Sequence, residues 1–223
     1  DERRQTPCLE LVNLLRETGA TLKCFKHTFD EISDILERLA SLLEKGLNKE
    51  LYGETMEYFI EKGKKPSDIR LYRSNLERSL KKLDIIIVDK PDYTQHKNII
   101  SEGNLEDTLI SKINYHDPYG NAVKRDVDSI SAIMRLRGGR TTIKIEESIA
   151  LFISTNYELV RTANRFFKDE TFPNLIGPCF TDYELTNFLF LKMPTKSLDL
   201  PLKRTISDAF ASIQPDDFTL KSY

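Results

Sequence analysis

The sequence has few cysteines and no apolar segment of the length that a bilayer requires. It contains 3 cysteines in 223 residues, so the cysteines cannot all pair with one another, and their spacing fits no zinc site. We therefore expect reduced thiols and a cytoplasmic protein, and we find no signal-peptide pattern. No apolar run approaches the roughly 20 residues of a membrane-spanning helix, and we expect no membrane partner.

The chain also lacks an excess of one charge and several well-known catalytic motifs. Its 33 Lys and Arg against 35 Asp and Glu give a net charge of −2, which excludes a uniformly basic nucleic-acid coat but not a local basic face. The phosphate-binding loop of P-loop enzymes, the dinucleotide-binding glycine motif and the serine-hydrolase elbow do not occur. Their absence disfavours those three classes of enzyme.

A short apolar segment followed by Thr-x-x-Glu occurs three times along the chain. This spacing is typical of a capping box, in which the Thr and Glu side chains satisfy free backbone N–H groups at a helix start. We predict a strand before each box and a helix after it. The continuous apolar run Ile85–Val88 predicts a fourth strand, buried on both faces. The three boxes are Thr28–Glu31, Thr155–Glu158 and Thr181–Glu184.

The alternation of strands and helices predicts an α/β fold with three layers, α/β/α, around a mostly parallel sheet. The chain length corresponds to one globular unit, so we expect residues 1–223 to form a single domain. The helical pattern at about 50–83 lies between two predicted strands, and we interpret it as a helical insertion. Further helices are predicted over Ala122–Arg137 and Leu202–Ile213.

Several acidic residues lie near predicted strand ends or helix starts, where ligands bind in open α/β sheets. Asp126 is at the buried edge of its predicted helix, about 50° from the apolar centre, whereas Asp128 is about 150° away. Glu31 and Asp182 lie in capping boxes, so helix capping explains each of them at least as well. Acids that converge repel one another unless a cation joins them, and oxygen ligands select Mg²⁺ or Mn²⁺. The candidate metal ligands are Asp126, Glu31, Asp182 and Asp128, the first three also being candidate catalytic residues.

Basic residues are concentrated in two regions. One surrounds the helix predicted over Ala122–Arg137 and includes Lys124, Arg125 and Arg135, which we expect to contact the phosphates of a substrate. The other region, Lys62–Lys82, holds eight Lys and Arg residues against two acids. A solvated helix face explains each region at least as well. A divalent ion beside such a basic face would be suited to phosphodiester hydrolysis.

The segment Arg125–Ile133, followed by a strand that ends in Ser-Thr-Asn156, resembles the C-terminal half of a PIN domain. PIN domains are nucleases with a three-layer α/β/α fold around a parallel sheet. They usually carry four acids that bind Mg²⁺ or Mn²⁺, they cut RNA, and many are bacterial toxins. The later segment Ile176–Lys192 resembles an extended PIN-like module found in large bacterial proteins.

The resemblance assigns roles by position. Asp126 matches the acid that PIN domains place at a helix start, and Glu31 matches their second acid. Thr155 and Asn156 match the polar turn after a strand and are expected to contact substrate. The first acid of the family, at the end of the first central strand, has no counterpart. The acid of the polar turn is also missing, and Asp182 is the candidate replacement.

Two functions follow from the resemblance, and a third comes from another motif. The first is a Mg²⁺- or Mn²⁺-dependent ribonuclease. The second, favoured by the incomplete acid set, is a PIN-like module that does not cut and binds RNA or a partner protein within a larger bacterial assembly or parent chain. The third is a receiver-like domain that is phosphorylated on Asp89. The sequence lacks the other residues of receiver domains at the expected positions. A strand ending in Asp ahead of Asp1 would restore the missing acid and favour the first.

Overall fold

The structure, a computed structural model, describes residues 2–46, 54–94, 100–115, 121–168 and 175–192. These residues form a mostly helical α/β arrangement, and no helix among them has the length and apolar character needed to cross a membrane. The elements, in chain order, are α1 (Glu2–Glu17), β1 (Leu22–Phe25), α2 (Lys26–Glu44), α3 (Glu54–Glu61), α4 (Pro66–Ser74), α5 (Leu76–Lys82), β2 (Ile85–Val88), α6 (Glu102–Lys112), α7 (Asn121–Arg137), β3 (Phe152–Ser154), α8 (Tyr157–Phe166), β4 (Cys179–Thr181) and α9 (Asp182–Lys192).

The described strands form two small parallel sheets. Strand β1 pairs with β2, with Leu22 opposite Ile85, and β3 pairs with β4, with Phe152 opposite Cys179. The predicted α/β class with parallel strands is therefore confirmed. Within the described residues the strands lie in two separate pairs, and the three-layer PIN-like arrangement stays a prediction.

The predicted elements occur close to their expected places. Strand β2 has the predicted bounds, and each of the other three strands overlaps the apolar segment that indicated it. The prediction that β2 is buried on both faces is wrong, because Ile86 is 52% exposed. Helix α7 begins one residue before the predicted Ala122 and ends at Arg137, as expected. Helices α3, α4 and α5 occupy the described part of the predicted insertion. The helix predicted over Leu202–Ile213 lies outside the described residues.

One of the three predicted capping boxes forms as expected. The Thr181 backbone N–H donates to Glu184 Oε2 at 2.9 Å, and the Glu184 N–H donates to Thr181 Oγ1 at 3.0 Å. The prediction for Thr155 is wrong, because Asn156 caps α8 instead and accepts the N–H of Leu159. The prediction for Thr28 is also wrong, because α2 continues directly from β1 with Phe25 at the cap position.

Three apolar clusters hold these elements, and α7 belongs to the largest. Its Val127 and Ile130 pack with residues of α6, α8 and β4, and Ile130 has no exposed surface. A second cluster joins α1 to α9, and a third joins α2 to α3 and α4. Burial along one side fixes α7 in place, which determines where its polar side chains lie.

Candidate active site

Two distant parts of the chain meet at the carboxyl edge of the β1–β2 sheet. Strand β1 ends at Phe25 and continues directly into α2. Strand β2 ends at Val88, two residues before Lys90. The first turns of α7 contact this edge through side-chain hydrogen bonds. We call the polar residues that meet here the edge cluster: His27, Glu31, Lys90, Arg125, Asp126, Asp128 and Ser129.

Two ion pairs connect α7 to the sheet edge. Arg125 Nη1 donates to Glu31 Oε1 at 3.0 Å, and Lys90 Nζ donates to Asp128 Oδ1 at 2.7 Å. The four side chains are between 29% and 39% exposed, so solvent screens both pairs in part. Two of the predicted metal ligands, Glu31 and Asp128, are thus each held by a basic side chain.

The pKa of the Asp126 carboxyl differs clearly from its value in water. Its Oδ2 accepts the hydroxyl hydrogen of Tyr115 at 2.8 Å. Burial of the carboxylate raises its pKa to about 6; the Tyr115 hydrogen bond opposes this effect, and the negative charge of Glu31 adds to it. Asp126 and Glu31 are therefore close enough to influence each other. Burial, together with the charge of Asp126, also raises the pKa of Tyr115.

His27 lies beside these acids and its tautomer follows from its contacts. The Ser129 hydroxyl donates to the carbonyl of Arg125 at 2.8 Å, so its hydrogen is already used. His27 Nε2, 2.8 Å from the same hydroxyl oxygen, must therefore donate. Burial lowers the pKa of His27, while the nearby charges of Asp128 and Lys90 act in opposite directions. In the neutral form Nδ1 then carries the lone pair, and it can accept a proton or a hydrogen bond.

The other predicted site residues lie on different elements. Asp182 begins α9 directly after β4, and Thr155 and Asn156 follow β3 with exposed side chains. They belong to the carboxyl edge of the second sheet. Within the described ranges, no hydrogen bond or ion pair joins them to the edge cluster. Lys124 is exposed in the first turns of α7, beside the edge cluster.

Arg135, another predicted substrate contact, lies in the interior. It has no exposed surface, and its Nη1 donates to Glu102 at 3.2 Å and to Ser131 at 2.8 Å. Its guanidinium lies 3.9 Å from the centre of the Tyr93 ring. The stacking and the ion pair compensate the buried charge in part, while Nε and Nη2 of Arg135 have no hydrogen-bond partner among the described residues.

The acids offer at most a partial set of metal ligands. Among the residues the structure describes, no group of three or more His, Cys, Asp and Glu side chains is arranged to hold a metal ion. Glu31 is near enough to Asp126 for its negative charge to raise the pKa of Asp126. Magnesium is commonly bound through one or two carboxylates, with water and substrate phosphate completing the shell. A Mg²⁺ or Mn²⁺ ion at the edge cluster stays a prediction, with Asp126 and Glu31 as its candidate ligands.

Sequence reasoning missed Lys90 and Tyr115. Lys90 comes two residues after the predicted strand Ile85–Val88, and that spacing is a signal that places it at the strand edge. Tyr115 lies between α6 and α7, and nothing in the local pattern connects it to Asp126. That contact depends on how the two helices pack, which local periodicity does not encode.

No family model matches the sequence, and neither the curated proteins nor the solved structures include a significant match. The resemblance to PIN domains therefore stays a prediction that rests on the quoted segments.

Proposed function

We propose that the chain is a PIN-like module that hydrolyses phosphodiester bonds in RNA, with Mg²⁺ or Mn²⁺ at the edge cluster. The observation that supports this most is the contact of Arg125 with Glu31, which brings the start of α7, and with it Asp126, to the carboxyl edge of the β1–β2 sheet. Their segments, 94 positions apart at the Arg125–Glu31 bond, come together only through folding. Such an edge is where open α/β sheets bind their ligands.

In this proposal Asp126 and Glu31 hold the ion. When bound, a divalent ion would lower the pKa of a bound water and offset negative charge on the phosphate. Tyr115 fixes the orientation of the Asp126 carboxylate through its 2.8 Å hydrogen bond. Arg125 positions Glu31. Asp128 and Asp182 stay secondary candidates, because Asp128 pairs with Lys90 and Asp182 lies on the second sheet.

The charge around the site suits an RNA backbone. Lys90 and Arg125 are each partly exposed while paired with an acid, and Lys124 is exposed on the same helix. Phosphates attract such residues, and part of the binding free energy comes from the release of counterions. Thr155 and Asn156 are proposed to contact substrate further along, at the edge of the second sheet. The module is proposed to be cytoplasmic, because three cysteines cannot all pair with one another and reduced thiols are typical of a reducing compartment.

The test is RNA cleavage with Mn²⁺, comparing the protein with Asp126→Asn. The substitution keeps the shape of the side chain and removes its charge, so we expect cleavage to fall at least a hundredfold. Asp30→Asn is the matched control, because Asp30 lies beside Glu31 on α2 and is exposed. Cleavage equal in the protein and in Asp126→Asn would rule out the proposed centre.

A second candidate function is a PIN-like module that binds RNA or a partner protein without cutting. It is favoured by the pairing of Glu31 with Arg125 and of Asp128 with Lys90, which occupies two of the predicted metal ligands. A gel-shift titration distinguishes the two. Binding without Mn²⁺-dependent cleavage, weakened by Lys124→Ala, would favour the second function for RNA.

A further inference from the structure

A cavity separate from the edge cluster lies at the other end of α7. It has a volume of about 330 Å³ and lies between the end of α7, the end of α8 and the segment that leads into β4. Arg137 is 11 positions after Asp126 on the same helix, which corresponds to about 16 Å along its axis. The cavity therefore does not belong to the proposed metal site.

The base of this cavity is built from fixed hydrogen bonds. Buried Arg137 donates to the carbonyls of Ala150, Ile176 and Gly177 at 2.8–2.9 Å. Asn164 holds both backbone groups of Cys179, donating to its carbonyl at 2.8 Å and accepting its N–H at 3.1 Å. The Nε, Nη1 and Nη2 groups of Arg137 therefore all donate to backbone carbonyls of the protein itself. Its role is to fix the shape of the cavity before any ligand arrives.

The charge of the cavity lining is of one sign. Arg140, Arg165 and Lys168 line it together with Arg137, and the lining residues that the structure describes include no acid. In the described part of the chain, none of these three exposed side chains forms an ion pair or a side-chain hydrogen bond. Basic residues at the ends of α7 and α8 also offset the helix dipoles, and three cations around one cavity attract an anion.

The remaining lining is apolar and offers a surface for a ring. Met134, Phe167, Leu175 and Pro178 contribute to the walls. Small-molecule sites combine such apolar walls with a few polar groups that fix orientation. The volume is at the lower end of the range for such sites, roughly 300–1,000 Å³, which limits the ligand to about the size of a mononucleotide.

We propose that this cavity binds a small organic phosphate with an attached ring, of the nucleoside monophosphate class. Arg140, Arg165 and Lys168 contact the phosphate, and the apolar wall that includes Phe167 contacts the ring. The proposal is independent of whether the edge cluster hydrolyses RNA.

The experiment is isothermal titration calorimetry with AMP, inorganic phosphate and adenosine as probes. We expect AMP to bind more tightly than phosphate, and adenosine to bind at least tenfold more weakly than AMP. The double variant Arg140→Ala with Arg165→Ala should weaken AMP binding at least tenfold. The matched control removes two exposed charges from α5, with Arg78→Ala and Lys81→Ala, and should leave AMP binding unchanged.

Three outcomes would overturn the proposal. The first is no binding of AMP to the unmodified protein at millimolar concentration. The second is an equal loss of binding in the control variant, which would show that only the overall charge matters. The third is binding of a single-stranded oligonucleotide at this cavity with no binding of AMP, which would make it part of an RNA surface. Circular dichroism of both variants checks that they are folded, and exposed substitutions of this kind change stability little.

Discussion

Arg125 and Glu31 are 94 positions apart in the sequence, and their side chains meet through a hydrogen bond of 3.0 Å. This contact ties the start of α7 to the helix that follows β1. A double-mutant cycle with Arg125→Met and Glu31→Gln should give a coupling free energy of about 0.5–1 kcal/mol, since the pair is partly exposed. Urea unfolding measures it. The exposed pair Lys26 and Asp30 on α2 is the comparison, and a smaller coupling is expected there. Zero coupling for Arg125 and Glu31 would mean that their contact does not help to hold the edge cluster together.

Asp126 makes the stability depend on pH in a defined window. Its pKa is near 4 in the unfolded chain and about 6 in the folded protein, so the folded state binds the proton more tightly. The contribution of Asp126 to stability is therefore present below pH 4 and is lost as the pH rises through 6. Asp126→Asn, which does not titrate, should gain on the order of 2 kcal/mol relative to the unmodified protein between pH 4 and pH 7.5.

The free energy of unfolding of both proteins, measured in urea at several pH values, tests this prediction. Asp30→Asn, at an exposed position on α2, should show no such change across the same window. A difference between Asp126→Asn and the unmodified protein that stays constant with pH would contradict the raised pKa.

Gly177 is required by the packing of its neighbours. A Cβ atom at this position would lie 2.3 Å from Asn164 Oδ1, the atom that accepts the N–H of Cys179. Gly177→Ala should therefore cost about 2 kcal/mol or more, because the clash breaks a part-buried hydrogen bond. The control is Gly103→Ala in α6, where a Cβ meets nothing within 4 Å and a gain of up to about 0.5 kcal/mol is expected. Thermal unfolding of both variants compares them, and equal effects would show that position 177 is not tightly packed.

Two substitutions at the start of α8 distinguish the predicted capping residue, Thr155, from the observed one, Asn156. Asn156→Ala should cost about 1 kcal/mol, because the side chain accepts the Leu159 N–H at 3.1 Å. Thr155→Ala should change the free energy of unfolding by less than 0.5 kcal/mol, since Thr155 is exposed and does not cap the helix. Chemical denaturation measures both. A larger cost for Thr155→Ala would restore the capping box that the sequence indicated.

Local sequence patterns predicted several secondary-structure elements and one helix cap correctly. The run Ile85–Val88 became β2 with the expected bounds, and the apolar stripe of α7 gave its extent to within one residue. The box Thr181–Glu184 formed as expected, since both partners lie within one turn. The box at Thr28 failed because α2 continues from β1 without the break that a side-chain cap needs.

Contacts between distant segments could not be predicted from the sequence. The local pattern does not predict that β1 pairs with β2 and β3 with β4, because strand pairing depends on packing between distant segments. The angular position of Asp126 correctly placed it near the buried side of α7. Its partner Tyr115 depends on the packing of α6 against α7, which a single helix pattern does not contain.

Because Cys179 is buried, the rate of its alkylation measures how often the second sheet opens. The side chain has no exposed surface, and burial raises the pKa of its thiol to about 12, so the reactive thiolate is scarce at neutral pH. An alkylating reagent can reach it only when β4 separates from α7 and α8. Cys8, by contrast, is exposed and should be modified at once. The slowest phase of alkylation under native conditions, once peptide mapping assigns it to Cys179, therefore measures how often the second sheet opens, without any added label.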